Sequence, residues 1–254
     1  MGGVDIDNYL TIVALEDGLT AALSGNTVEY CVDGDGNWKS LVSNTNSESI
    51  NKGQTLSFRG NLTPTSSGSS KGVGRFKISK SCDLTGNCNS LLFGDDAADN
   101  LDLTGKDYVF YYLFSNCNTI KNISSNFLPA TTLASHCYEW MFLDCRYLTT
   151  APALPATTLA SSCYHSMFKN CTSLTAAPEL PATTLASSCY HSMFYGSSKL
   201  NYIKAMFTTK PSTTYTNNWV KGVASRGTFV KNKNATWSVT GTSGIPSGWT
   251  VQTA

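Results

Sequence analysis

A chain of 254 residues has room for one large domain or two ordinary ones, each with its own core, which excludes a mini-protein held together by disulfides. Charged residues make up only 14%, against a usual share of about 25%, so Ser, Thr, Asn and Gly must carry most of the polar surface. A formal net charge of +1 gives no long-range field to gather phosphates or anionic lipid, and no run approaches the ~18 apolar residues of a membrane helix, so neither nucleic acid nor a membrane span is expected.

From the N-terminus, the short apolar run before Glu16 and Asp17 has no Lys or Arg ahead of it and is too brief for a signal-peptide core. The expectation is a removed signal, or a protein that reaches the outside without one. Residues 8–94 alternate with period two between turn residues. Strands are expected at 9–15, 19–23, 27–32, 55–59 and 74–78, with turns at Asp17-Gly18, Ser24-Gly25-Asn26 and 33–36. Strands at this spacing predict a small all-β sandwich of immunoglobulin-like type over 1–94. The Asp33-Gly-Asp35-Gly-Asn37 run has alternating oxygen ligands but lacks the closing Glu of a calcium loop, so a hairpin turn is the preferred reading. The loop at 63–74 is Gly/Ser-rich and expected to be mobile. Residues 95–107, acidic and turn-rich, read as a linker.

An internal repeat follows. The phrase LPATTLA begins at Leu128, Leu154 and Leu180, a period of 26 residues, and the rest of each unit follows in register. A worn copy precedes them, with Phe114, Cys117 and Ile120 in the places of Phe142, Cys145 and Leu148 at an offset of 28. The array spans 108–207. A unit this short cannot bury its apolar side alone, which predicts a solenoid. Leu159, Tyr164, Met167 and Phe168 fall near one helical face, with Ser161 or Ser162 as the cap, and 174–177 is expected to be a brief strand stopped by proline, so each coil reads as helix plus strand.

The pattern Met-Phe-x-x-Cys-x-x-Leu, then Leu-Pro and a second Tyr-x-x-Met-Phe, resembles the BspA-type leucine-rich repeat of surface proteins of gut Bacteroides-like bacteria and of virion proteins of their tailed phages. The ending at 208–254 resembles the closing cap of such arrays, with 219–223 in the helix position and 227–230 in the strand position. The fold class expected is therefore mixed: an N-terminal β-sandwich, then a short α/β leucine-rich-repeat solenoid of 26-residue coils with a C-terminal cap.

Nine cysteines fall mostly into two columns, Cys117, Cys145 and Cys171, and Cys137, Cys163 and Cys189. Such columns read as small buried side chains lining each coil. Disulfides or a metal are the alternatives, although the separation of eight within a coil is wide for zinc, and Cys82 and Cys88 could close a small loop. His136, His165 and His191 all lie in the repeats, with Glu139 at the place equivalent to His165 and His191, the pattern of a tolerated polar position. Cys163 and His165, two apart on a helix, point in different directions, which argues against a Cys/His active site. Asn61, Asn122, Asn170 and Asn234 start Asn-x-Ser/Thr triplets that a Thr- and Asn-rich chain makes by chance.

Aromatic side chains gather in the repeat half. Tyr138, Tyr164 and Tyr190 form a column expected in the core. Trp140 and Tyr147 stand where the other coils have Ser166 or Ser192 and Ser173 or Lys199, so they are expected at the surface. Together with His165, His191 and Tyr195 they are the candidate residues for a glycan or protein contact face, the alternative being isolated surface aromatics. No paired carboxylates in a recognisable frame, phosphate loop or Ser/His/Asp set appears, so no catalytic residue, metal or cofactor is expected.

The resemblance implies a non-enzymatic, surface-exposed protein of a phage virion, a head fibre, decoration or tail-associated protein. Its N-terminal domain would attach to other virion proteins, and its repeats would meet a host-surface or mucus glycan or protein. A bacterial cell-surface adhesin is the alternative, and homo-oligomers are common in such proteins.

Overall fold

The computed structural model describes residues 3–64 and 72–254, so residues 65–71 of the expected mobile loop lie outside the described residues. In chain order the strands are β1 (Leu10–Ala14), β2 (Ala21–Ser24), β3 (Val28–Val32), β4 (Lys39–Leu41), β5 (Thr55–Arg59), β6 (Arg75–Ile78) and β7 (Cys82–Thr85). The single-turn α1 (Ser90–Phe93) and β8 (Ile120–Ile123) follow, and then β9 (Tyr202–Ala205), the single-turn α2 (Thr213–Thr216), β10 (Thr228–Lys231) and β11 (Thr250–Thr253).

The five strands expected from alternation are occupied by β1, β2, β3, β5 and β6, but they do not assemble as an immunoglobulin-like sandwich. One six-stranded sheet runs β4-β3-β5-β1-β7-β8, and β2 pairs with β6 apart from it. The cause is β7, which is antiparallel to β1 on one side and parallel to β8 on the other, so a strand from the repeats extends the N-terminal sheet. Asp33 and Asp35 serve turns: Asp33 accepts from the Thr55 N–H at 2.8 Å and Asp35 from the Asn37 N–H at 2.9 Å.

The α/β leucine-rich-repeat solenoid is overturned too. The molecule is mostly β, in three sheets, and the only α-helices among the described residues are α1 and α2, neither of which lies within the three full units. Where a helix was expected, the backbone forms a ribbon of consecutive turns. Odd-numbered N–H groups bond three residues back, as in Cys137 to Ala134, Glu139 to His136 and Met141 to Tyr138. Even-numbered ones cross to the next unit, as in Tyr138 to Cys163 O (3.0 Å), Trp140 to His165 O (2.9 Å) and Phe142 to Met167 O (3.0 Å). Alternate turns carry a positive φ at their third residue, the mark of a type II turn, at His136, Trp140 and Asp144, at Ser162, Ser166 and Asn170, and at Ser188, Ser192 and Gly196.

The reason is the period. Cys137-Tyr138, Met141-Phe142 and Cys145 recur every four residues, and on an α-helix that spacing drifts by about 40° per repeat. A four-residue turn ribbon keeps every inward pair inward, and all five of these side chains are buried. Rings then stack from unit to unit: Phe114, Phe142, Phe168 and Phe194 at centroid distances of 5.7, 5.7 and 5.9 Å, and Tyr138, Tyr164 and Tyr190 at 5.8 and 6.0 Å. The strand expected after each helix shrinks to single bridges in the first two full units, as in Asn122 with Thr150 and Ala176 with Tyr202, while the worn copy and the third full unit form it as β8 and β9.

At the C-terminal end the expected cap helix is also turn ribbon, with positive φ at Asn218 and Gly222. The strand position is filled by β10, central in a parallel sheet β11-β10-β9. Trp219, fully buried, closes the stack against Tyr190 and Phe194, its indole N–H donating to Gly244 O at 2.8 Å.

All nine cysteines are free and buried. Cys145 and Cys171 each direct Sγ at the carbonyl of the preceding unit's phenylalanine, Phe114 and Phe142, at 3.2 Å, and Ser197 makes the same bond to Phe168 at 2.8 Å. Cys117 directs its Sγ at Phe76 O of β6 at 3.3 Å. The Phe114, Phe142 and Phe168 carbonyls each accept a backbone N–H of their own turn as well, so the column supplies a second donor to carbonyls inside the core.

Candidate functional site: an aromatic and imidazole strip

In the turn ribbon, pairs of residues alternate in and out. The outward pairs of successive units are Tyr111-Tyr112, Glu139-Trp140, His165-Ser166 and His191-Ser192, which the hydrogen bonds between units set side by side. Their side chains form one strip. Trp140 lies 5.3 Å from Tyr111 and 4.6 Å from Tyr112, and 5.8 Å from His165, which is 4.5 Å from His191. Next to it Tyr108 stacks on His136 at 4.3 Å. All the ring-bearing members are half-buried, with one side packed and one side open.

Glu139 is the electrostatic centre. It is buried at 5% exposure, with Oε2 at 2.5 Å from His136 Nδ1 and Oε1 at 2.9 Å from His165 Nδ1. A carboxylate only accepts, so both Nδ1 atoms carry the proton and each Nε2 is left to face away from the carboxylate. Burial and then the neighbouring Glu139 charge raise the Tyr111 and Tyr112 phenols, keeping both neutral. Burial, then His165 beside it, lowers His191 below the ordinary imidazole range, so it is uncharged at neutral pH. The strip thus offers flat rings, phenol and imidazole groups around a single buried negative charge.

The geometry sorts the residues singled out in the sequence. Trp140, His165 and His191 come together. Tyr147, 55% exposed, lies elsewhere under Lys121, whose Nζ is 4.1 Å from its ring, and Tyr195 lies between Lys169 and Lys221 at 5.0 and 5.4 Å. Sequence reasoning missed Tyr108, Tyr111, Tyr112 and the part played by Glu139 and His136. The signal was present: at the offset of 28, Tyr108, Tyr111 and Tyr112 fall on His136, Glu139 and Trp140.

Cys163 is buried and burial holds its thiol well above the ordinary range, so it stays protonated beneath the strip. Among the described residues no group of three or more His, Cys, Asp or Glu side chains is arranged to hold a metal ion, and no helix is long and apolar enough to cross a membrane. No family model, curated protein or solved structure matches the chain.

Proposed function

We propose that this chain is a non-enzymatic, surface-displayed adhesion protein whose repeat face binds a glycan, a phage virion being the setting that the sequence resemblance implies. The carrying observation is the continuous strip from Tyr111 and Tyr112 through Trp140 to His165 and His191, with ring centroids 4.5–5.8 Å apart. Half-buried rings held on a hydrogen-bonded scaffold lose little entropy on binding, which favours recognition by stacking against sugar C–H faces. Glu139, with one oxygen on each of His136 and His165, holds the two imidazoles in place beside the rings. In this reading the N-terminal strands attach to other virion proteins.

The test is binding of the purified chain to immobilised mucin glycans beside Trp140→Ala and His165→Ala. Loss of an aromatic platform of this kind weakens binding about ten-fold or more, measured at a temperature where each variant is fully folded. Equal retention of wild type and Trp140→Ala, or release of reducing sugar from a polysaccharide by the wild type, would overturn the reading. Peptides of the chain in density-purified phage particles, against washed cell envelopes, decide the setting.

A further inference from the structure

A second feature lies away from the aromatic strip. Between the β2–β6 pair and the start of the repeats is an open groove of about 750 Å³, within the ordinary size range of small-ligand sites. Its floor is the outer face of the two strands, where Ala22 is paired with Lys77 and Ser24 with Arg75. The small residues keep the floor low, and the two cations stand on it two residues apart on β6. Asn44 and Asn46 line one wall, and Asn116 and Asn118 the other.

The charge is one-sided. Among the described residues, Arg75 and Lys77 are the only charged ones that line the groove. The Arg75 guanidinium is fixed in place because Nε and Nη2 both donate to Ser115 O, at 3.0 and 2.7 Å, while Nη1 makes no such bond among the described residues. Lys77 is exposed and forms no ion pair among the described residues. The one aromatic residue among the described residues that line the groove, Phe76, is buried beneath the floor.

We propose that this groove binds an acidic oligosaccharide, its carboxylate or sulfate groups meeting Arg75 and Lys77 and its hydroxyls meeting the asparagine amides. A carboxamide offers both a donor and an acceptor, which suits neighbouring hydroxyls of a sugar ring. With no exposed ring among the described residues that line it, the groove offers nothing there on which to stack a nucleobase or the C–H face of a neutral sugar. Charge and hydrogen bonding must do the selecting, so an anionic sugar is preferred over a neutral one. The site is independent of the aromatic strip, and each can fail alone.

Calorimetric titration of the full chain with tetragalacturonate, a sulfated heparin tetrasaccharide and neutral maltotetraose tests it. At least one acidic probe is expected to bind about ten-fold or more tightly than maltotetraose, and less tightly as salt rises. Binding of tetragalacturonate shows that carboxylate suffices, whereas binding of the heparin tetrasaccharide alone shows that sulfate is required. Lys77→Gln and Asn46→Ala, both exposed and outside the core, are each expected to weaken that binding about five-fold or more without lowering the unfolding temperature, while Trp140→Ala leaves it unchanged. No binding of either acidic probe, equal binding of maltotetraose, unaltered affinity in Lys77→Gln, or loss in Trp140→Ala alone would each overturn the assignment.

Discussion

Cysteine is used here as an interior hydrogen-bond donor. Cys145, Cys171 and the serine that follows them in register, Ser197, point at a phenylalanine carbonyl one unit back that already accepts a backbone N–H, so the column adds a second, weakly polar donor to each of these acceptors. Burial is the first cause that raises the thiol in all nine cysteines, and it raises Tyr138, Tyr164 and Tyr190 as well. The sign follows directly. A thiol that ionises near pH 9 when unfolded but only at higher pH when folded leaves the folded state holding more protons once the pH passes 9, so stability is complete below that value and falls as pH rises above it. Chemical denaturation at pH 7, 9 and 10.5 is expected to show a flat, then steeply declining, midpoint. Ellman's reagent at pH 8 is expected to find no reactive thiol until the chain unfolds, and rapid labelling of even one cysteine in the native protein would contradict the burial of the columns.

Turns with a left-handed third residue are the defining element, and they reverse the usual effect of glycine. Ser166 has φ of +52° and donates its N–H to His191 O at 2.8 Å. Glycine there relieves the left-handed strain, worth roughly 1–2 kcal/mol, at an entropic cost of roughly 0.5–1 kcal/mol, so Ser166→Gly is expected to be neutral or stabilising by up to about 1 kcal/mol. Ser166→Val puts a branched Cβ into the same conformation and is expected to destabilise by more than about 1 kcal/mol. In a helix the order would be opposite, since glycine is the poorer helix former by about 1 kcal/mol relative to alanine. Thermal unfolding of the two variants therefore distinguishes ribbon from helix. The same point explains what was legible beforehand. Period-two alternation placed the strands of the first hundred residues, and the 26-residue register placed the Phe, Tyr and Cys columns, because both follow from which residues are buried. The backbone between columns was not legible, because Tyr164, Met167 and Phe168 fit a helical face about as well as a four-residue ribbon, and hydrogen bonding to the neighbouring unit leaves no mark in composition. Glu139 escaped notice for a related reason. Read down its column it is an odd substitution for histidine, and only the turn geometry brings it between His136 and His165.

Across the whole molecule the N-terminal strands and the repeats share one core. β7 pairs with β8, and the ring series Phe58, Phe76, Phe114 and Phe142 runs from the sheet into the units at centroid distances of 5.1, 5.2 and 5.7 Å. Arg75 adds a polar tie to Ser115 O across the same junction. Repeat units that bury their apolar sides only against neighbours need such a base at one end and the Trp219 closure at the other. If the base is supplied by β6 and Phe114, the two halves cannot unfold separately. Hydrogen exchange is expected to give the amides of β1 and those of residues 137–145 the same opening free energy, equal to the global value. Phe114→Ala removes the ring between Phe76 and Phe142, is expected to cost about 3–5 kcal/mol, and should lower protection equally in β1 and in residues 163–171. Loss of protection confined to the repeats would mean that the N-terminal sheet is stable by itself. The groove between β6 and the first unit would then lie on a boundary that opens, whereas a single cooperative transition makes it a rigid site held by the fold as a whole.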